Sequence, residues 1–154
     1  MLYGVGSVAF GIKNNAFSWF LLFYYNIVLG LPGWMASLAI AIALIIDAVS
    51  DLLIGYASDH TSSKYGRRHP YMYAALLPVP ISFYLLWNPP SFSEDINLFF
   101  YLLVMTIFVR TSTTLFEIPN QSLGPEITRG YDERTKLMSI RYFFAVSYTH
   151  LTLP

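Results

Sequence analysis

The chain has 154 residues, of which 55% are hydrophobic, 18% aromatic and only 12% charged, and its formal net charge is zero. Ordinary soluble domains carry about 25% charged residues, so the composition argues against a soluble protein. The neutral balance and the absence of a basic arm, a zinc-ligand spacing or a Gly-rich phosphate loop argue against a nucleic-acid partner. The chain has no cysteine, which excludes disulfides and thiol chemistry. The N-terminus lacks the pattern of a cleaved signal peptide.

Four long apolar segments and the start of a fifth follow one another along the chain. Most approach the ~20 residues with which a helix crosses ~30 Å of hydrocarbon, and strand alternation is absent. A helix pairs its own backbone groups, so the sequence predicts an all-α, polytopic membrane protein. The predicted helices cover about residues 3–29, 34–58, 70–88, 98–118 and 137 onward.

The last residues differ in character from the predicted fifth helix. Residues 147–154 read SYTHLTLP, and their polar side chains do not continue a span. Five helices with an unfinished last one do not close a bundle. We therefore expect a fragment, with residues 1–146 as an N-terminal transmembrane bundle and 147–154 as an atypical, non-native tail. A short polar native end is the alternative.

The basic residues of the connections predict the orientation of the helices. The connections after the second and fourth segments contain Lys64, Arg67, Arg68, Arg129, Arg134 and Lys136, whereas the other two contain no Lys or Arg. Cytoplasmic loops carry the excess of Lys and Arg. The sequence thus predicts a multi-pass protein of the plasma (inner) membrane with a cytoplasmic N-terminus.

Two carboxylates one helical turn apart lie in the middle of the second segment, AIALIIDAVSDLLIGYA. A charge at the bilayer centre costs roughly 2.5–3.5 kcal/mol, so Asp47 and Asp51 are expected to face a cavity. Residues three or four apart share a helix face, which places Ser50 and Ser58 on the same stripe. Such oxygen ligands suit a small hard cation, and a proton shared by two carboxylates can replace it.

The fourth segment has a polar stripe of its own. Its members are Thr106, Arg110, Thr113 or Thr114, Glu117 and Gln121. Arg110 and Asp47 both lie near midplane, so we expect them to pair, with a contact to substrate as the alternative role of Arg110. The alternative to a cation site is that the aspartates are only structural partners of Arg110 or Lys13. Glu117 precedes Pro119, at which the helix loosens or ends.

Two further features are candidates for function. Lys13 and its neighbouring asparagines interrupt the first segment, so at least one of them should face the cavity. The polar loop after the second segment carries charges at cytoplasmic helix ends. We expect Asp59, Lys64, Arg67 and Arg68 to form a charge latch that breaks during turnover. The alternative is that the basic residues only set orientation.

Two sequence blocks carry a family resemblance that covers about residues 3–146. DAVSDLLIGYASDHTSSKYGRRHPYMY and EIPNQSLGPEITRGYDERTKLMSIRYFFA resemble the second helix and loop, and the end of the fourth helix, of the glycoside–pentoside–hexuronide:cation symporters. This is the melibiose-carrier branch of the major facilitator superfamily. The resemblance implies twelve helices in two six-helix halves, of which this chain is most of the first. The missing C-terminal half would be a partner.

The resemblance also implies roles for individual residues. The cation-site carboxylates correspond to Asp47, Asp51 and Glu117, with Ser50 and Thr114 at positions that add oxygen ligands; the ion would be Na⁺, Li⁺ or H⁺. Arg141 corresponds to an arginine at the sugar site, and Gln121 falls where some members place an aromatic sugar contact. Lys13 and Arg110 complete the candidate solute-binding residues. Phe17, Trp19 and Phe20 are candidates to stack on a sugar ring, with packing or contact to lipid as the alternative.

The chain departs from the family pattern in two places. Phe10 and Gly11 stand where the melibiose carrier has a Lys-Asp pair, and Glu117 replaces an aspartate. A related branch carries lysolipids with a similar aspartate pair, so a lysolipid or other solute is the alternative to a sugar. A non-transporting membrane fragment is a second alternative. An intramembrane enzyme is less favoured, because the segment DAVSD lacks the glycine and arginine of a phosphotransferase motif.

Overall fold

The computed structural model describes residues 17, 20–61, 68–127, 135 and 139, and within 123–127 only the backbone. The described residues form helices and turns, and none of them forms a strand. The elements are α1 (Leu21–Phe23), which continues as a π-helix (Tyr24–Val28), then α2 (Gly33–His60), α3 (His69–Ala75), α4 (Pro78–Trp87) and α5 (Asp95–Ile127). The predicted all-α class is confirmed.

Three stretches are long and apolar enough to cross a membrane, namely Gly33–His60, His69–Trp87 and Asp95–Ser122. Many large apolar side chains on their outer faces are exposed, for example Leu52 at 76% and Leu77 at 73%. A soluble monomer rarely exposes contiguous apolar surface on this scale, whereas a bilayer solvates it. The exposed faces are therefore suited to contact lipid or further transmembrane helices.

A tight turn joins the first helix to the second. The N–H of Leu29 donates to the carbonyl of Tyr24 at 3.1 Å, and Gly30 has a φ of 79°. Glycine reaches this left-handed region at little cost, which ends the helix where the sequence predicts. The Asn26 side chain holds the turn by donating to the Leu31 carbonyl at 2.9 Å.

Small residues line the inward face of α2. Ala36, Ala39 and Ala43 are fully buried, and the next position on that face is Asp47. Small side chains let neighbouring membrane helices approach closely, here chiefly α5. The same face that packs α2 against the bundle therefore carries its aspartates inward.

The third predicted span, residues 70–88, is not one continuous helix. It consists of α3 and α4, separated by a turn at Leu76 and Leu77. Pro78 and Pro80 have no N–H to donate to the preceding turn, which interrupts the helical ladder.

The predicted end of the fourth span near residue 118 is wrong, because α5 continues to Ile127. Pro119 lies within the helix and its side chain is fully buried. Its missing N–H leaves the carbonyl of Leu115 without the usual i→i−4 donor, but proline is tolerated in membrane helices where neighbouring groups compensate. Pro119 is thus an interruption of the ladder and not a helix end.

Three tyrosine hydroxyls cap the last carbonyls of α4, which a helix end leaves without intrahelical partners. The donors and acceptors are Tyr24 to Trp87 at 3.1 Å, Tyr25 to Leu86 at 2.7 Å and Tyr101 to Leu85 at 2.7 Å. The tyrosines belong to the first helix and to α5. They join three helices at the end of the bundle opposite the basic loop.

We predict that Tyr25→Phe lowers the free energy of unfolding by about 0.6–1.5 kcal/mol, the value of a hydrogen bond between membrane helices. The Tyr25 side chain is fully buried, so water cannot replace the lost donor to Leu86. Thermal unfolding of the purified protein in detergent measures the change. Tyr84→Phe is the control, because Tyr84 is 68% exposed and should tolerate the change. Equal effects of the two substitutions would contradict the capping role.

Candidate functional site

A cavity of about 300 Å³ lies between α2 and α5, at the depth where both helices carry polar residues. Phe17, from the first segment, also contributes to its wall. The described residues that line the cavity are Phe17, Asp47, Asp51, Val109, Arg110, Thr113, Thr114, Glu117, Ile118 and Gln121. The two polar stripes predicted from the sequence therefore face each other across one space.

An ion pair links the two helices at the cavity wall. The Nη1 of Arg110 donates to the Oδ2 of Asp47 at 2.7 Å, as the sequence predicts. The side chains of Arg110 and Asp47 are only 22% and 18% exposed. A charge-assisted bond at this distance, shielded on most sides, is stronger than a surface pair.

Thr114 connects the two aspartates. Its hydroxyl lies 2.8 Å from the Oδ1 of Asp51 and 3.4 Å from the Oδ1 of Asp47. A hydroxyl has one proton to donate, and the shorter distance assigns it to Asp51. Thr114 is 5% exposed, so its oxygen is held in place by packing. One carboxylate oxygen of each aspartate and the threonine oxygen therefore converge.

The guanidinium of Arg110 has a second neighbour in the first segment. Its Cζ lies 5.4 Å from the centre of the Phe17 ring, within the range of a cation–π interaction. The sequence suggested Phe17 only as a platform for a sugar ring. The Nε of Arg110 is buried without a hydrogen-bond partner in the described part of the chain. Arg110 therefore contacts the first segment and α2 from its place on α5.

The other predicted ligands differ in placement. Glu117 and Gln121 line the cavity, and Gln121 is exposed. Ser50 does not line it, because its hydroxyl donates to the carbonyl of Asp47 at 2.9 Å, within α2. Thr113 lines the cavity, but its hydroxyl donates to the carbonyl of Val109 at 2.6 Å. Both hydroxyls are directed to their own helix, a common local bond for Ser and Thr that residue spacing does not reveal.

Within the described residues, no three His, Cys, Asp or Glu side chains are grouped closely enough to hold a metal ion. Asp47, Asp51 and Glu117 therefore share a cavity without converging on one point. The oxygens that do converge are Asp47 Oδ1, Asp51 Oδ1 and Thr114 Oγ1. This arrangement can hold a small cation between the aspartates, with Glu117 adding negative charge to the same wall.

Two of the residues that the sequence predicts to form a latch make an ion pair at the C-terminal end of α2. The Nη2 of Arg68 donates to the Oδ1 of Asp59 at 3.0 Å. Nearby, the hydroxyls of Thr61 and Tyr71 share a hydrogen bond of 2.7 Å. These bonds tie the end of α2 to the start of α3. The remaining latch residues, Lys64 and Arg67, lie outside the described residues.

Several further predictions also lie outside the described residues. They concern Lys13, Arg141, the start of the fifth helix and the tail 147–154. The tyrosine caps on α4 and the cation–π contact of Phe17 were missed by the sequence analysis. The only sequence signal for either was the abundance of aromatic residues in the first and fourth segments.

The helices and their polar cavity match a known family along nearly the whole chain. Residues 2–152 match the family model described as MFS/sugar transport protein. The chain belongs to this family. The resemblance to glycoside–pentoside–hexuronide:cation symporters is thereby confirmed, and with it a multi-pass membrane protein of the major facilitator superfamily.

Relatives of this MFS chain include symporters for different solutes. It is 34% identical to an uncharacterized symporter of Synechocystis sp., over 99% of this chain and 29% of the relative. It is 26% identical to the isoprimeverose transporter of Lactiplantibacillus pentosus, over 92% of this chain and 29% of the relative.

It is also 28% identical to the sodium-dependent lysophosphatidylcholine symporter 1 of Gallus gallus, over 92% of this chain and 26% of the relative. The MFS chain thus spans less than a third of the length of these curated relatives. No solved structure matches it.

Proposed function

We propose that these helices form part of a secondary symporter that moves a sugar or glycoside together with Na⁺, Li⁺ or H⁺. The observation that carries the proposal is the paired aspartates of α2, held by Arg110 and Thr114 of α5 around a cavity of about 300 Å³. Ionisable groups inside a membrane are costly, and they mark ion and substrate pathways. Relatives named as symporters support the same activity.

The coupling cation is cargo that binds between Asp47 and Asp51. Thr114 supplies a neutral oxygen, and Glu117 adds a negative charge to the cavity wall. Neutralising two neighbouring carboxylates lets them approach, which orders the wall on which the solute binds. Coupling is reciprocal, so the solute tightens cation binding by the same factor by which the cation tightens solute binding.

The solute occupies the rest of the cavity and contacts Gln121 and the free face of Arg110. Lys13 and Arg141 are further contacts by family resemblance. In the proposed cycle, these helices work with a C-terminal half, and the two halves rock around the midplane site. The Asp59–Arg68 pair, together with Lys64 and Arg67, stabilises one of the two states and opens in the other.

Initial rates of uptake test the assignment. The complete gene product, in proteoliposomes, should accumulate a labelled pentoside or glycoside when an inward Na⁺ or H⁺ gradient is imposed. Solute accumulation that ignores both gradients would contradict cation coupling. Turnover of a lipid headgroup in the same vesicles would instead favour an intramembrane enzyme.

A lysolipid is the second candidate solute, because a relative is named a lysophosphatidylcholine symporter. The aspartate pair does not discriminate between the two, since it serves the cation. The same vesicles, given labelled lysophosphatidylcholine in competition with a glycoside, decide between them. Uptake of the lysolipid without the glycoside would replace the sugar assignment and leave the symport assignment intact.

We further propose that the protein lies in the plasma (inner) membrane with the basic connections in the cytoplasm. These 154 residues contain no cysteine, so single cysteines introduced here report sidedness once any cysteines in the rest of the complete gene product are replaced. We predict that Ser93→Cys, in the acidic connection, reacts with a membrane-impermeant maleimide in intact cells. Ser63→Cys, in the basic loop, should react only after permeabilisation. The reverse pattern would contradict the orientation.

A further inference from the structure

Arg110 compensates part of the negative charge of the aspartate pair. Asp47 and Asp51 together contribute two negative charges, and the Arg110 guanidinium, 2.7 Å from Asp47, returns one positive charge. Around the converging oxygens these three groups therefore have a net charge of minus one; Glu117, elsewhere on the same wall, adds one further negative charge that the variants of Asp47 and Arg110 leave unchanged. The net charge of a partly buried site matters, because uncompensated charge costs far more free energy there than in water.

The geometry leaves the cation position open while the guanidinium is in place. Arg110 bonds to the Oδ2 of Asp47, whereas the Oδ1 of the same carboxylate faces Thr114 and, through it, Asp51. The ring of Phe17, 5.4 Å from the Arg110 Cζ, contacts the guanidinium as well. The arginine thus compensates one carboxylate oxygen without covering the oxygens that converge.

We propose that Arg110 is a built-in positive charge that sets the valence of the cation site. With the guanidinium on Asp47, the pair carries one net negative charge and accepts one monovalent cation. Without it, the pair carries two negative charges and gains a free Oδ2 oxygen, which suits a divalent cation. The inference rests on the proposed function, because it assigns selectivity to the same cation site.

Other roles of Arg110 lead to different expectations. An arginine that only holds α2 against α5 would leave ion valence unchanged when replaced, and would only lower stability. An arginine that only binds solute would change the KM for solute and leave ion binding intact. A shift from monovalent toward divalent preference is expected only if the positive charge beside the aspartates sets the valence.

Ca²⁺ is the probe of choice, because it accepts flexible sets of carboxylate oxygens, whereas Mg²⁺ demands a near-ideal octahedron. The readout is the rise in melting temperature of the purified complete gene product on adding Ca²⁺ or Na⁺, since an ion that binds the folded state stabilises it. We expect Arg110→Gln to bind Ca²⁺ more than tenfold more tightly than the unmodified protein does.

Two matched variants separate charge from structure. Arg110→Lys keeps the positive charge, and it should remain as insensitive to Ca²⁺ as the unmodified protein. The double variant Asp47→Asn with Arg110→Gln restores a net charge of minus one, and it should lose the Ca²⁺ response of Arg110→Gln. Equal Ca²⁺ responses in all four proteins would overturn the inference.

Failure of Arg110→Gln to fold at any Ca²⁺ concentration would overturn it too, because the inference requires that an ion can replace the guanidinium. These outcomes are distinct from failure of the proposed function. If uptake by the unmodified protein ignores Na⁺ and H⁺ gradients, the symport proposal fails. If uptake is cation-coupled but Arg110→Gln gains no Ca²⁺ response, only the valence inference fails.

Discussion

Asp51→Asn is expected to abolish cation-stimulated uptake and to leave the fold intact. The amide keeps the shape of the carboxylate and can still accept the hydrogen bond from the Thr114 hydroxyl. In the unmodified protein this hydroxyl lies 2.8 Å from the Oδ1 of Asp51. It removes the negative charge that attracts the ion. Loss of a shielded charged partner costs about 3 kcal/mol, which corresponds to about 100-fold weaker cation binding.

The measurement compares initial uptake rates with and without an imposed Na⁺ gradient, and again with a pH gradient. Exchange of labelled for unlabelled solute, which needs no net cation movement, should persist in the variant. Glu94→Gln is the matched control, because Glu94 is exposed in the connection before α5 and its loss should leave stimulation unchanged. Full stimulation of Asp51→Asn would remove Asp51 from the cation site.

The contacts across the cavity could be predicted because few residues can satisfy the physical constraints. An aspartate and an arginine at similar depth in two apolar helices must find partners, so the Asp47–Arg110 pair followed from depth and helix face alone. Helix spacing left Thr113 and Thr114 as alternatives, and only the family resemblance implied that Thr114 lies beside the aspartates. A charged side chain in hydrocarbon has few possible partners, so such contacts can be predicted from the sequence.

The details that sequence did not predict depend on bonds of small energy or on backbone compensation. Helix α5 passes through both Pro119 and Pro125, whereas α3 and α4 separate just before Pro78 and Pro80, so the presence of proline alone does not tell whether a helix continues. The π-helical turns at Tyr24–Val28 have no residue signature. Ser50 bonds to its own helix, and its place on the polar stripe gave no sign of this.

Asp47→Ala is expected to destabilise the protein by about 3–5 kcal/mol, the cost of removing one partner from a buried ion pair. The substitution leaves the Arg110 guanidinium, only 22% exposed, without the carboxylate that it contacts at 2.7 Å. Its Nε already lacks a hydrogen-bond partner among the described residues. The Phe17 ring, at 5.4 Å, supplies about 0.5–2 kcal/mol of cation–π attraction, which does not replace the lost ion pair.

The double variant Asp47→Leu with Arg110→Met should recover most of that stability, since apolar residues of similar volume often replace a buried pair without loss. Unfolding of the single and double variants in detergent gives the coupling energy of the pair. We expect the double variant to fold and to have lost cation-coupled uptake. A double variant that folds but has lost cation-coupled uptake would show that the ion pair is needed for transport and not for stability. Failure of the double variant to recover stability would instead mean that α2 and α5 require the ion pair for their packing.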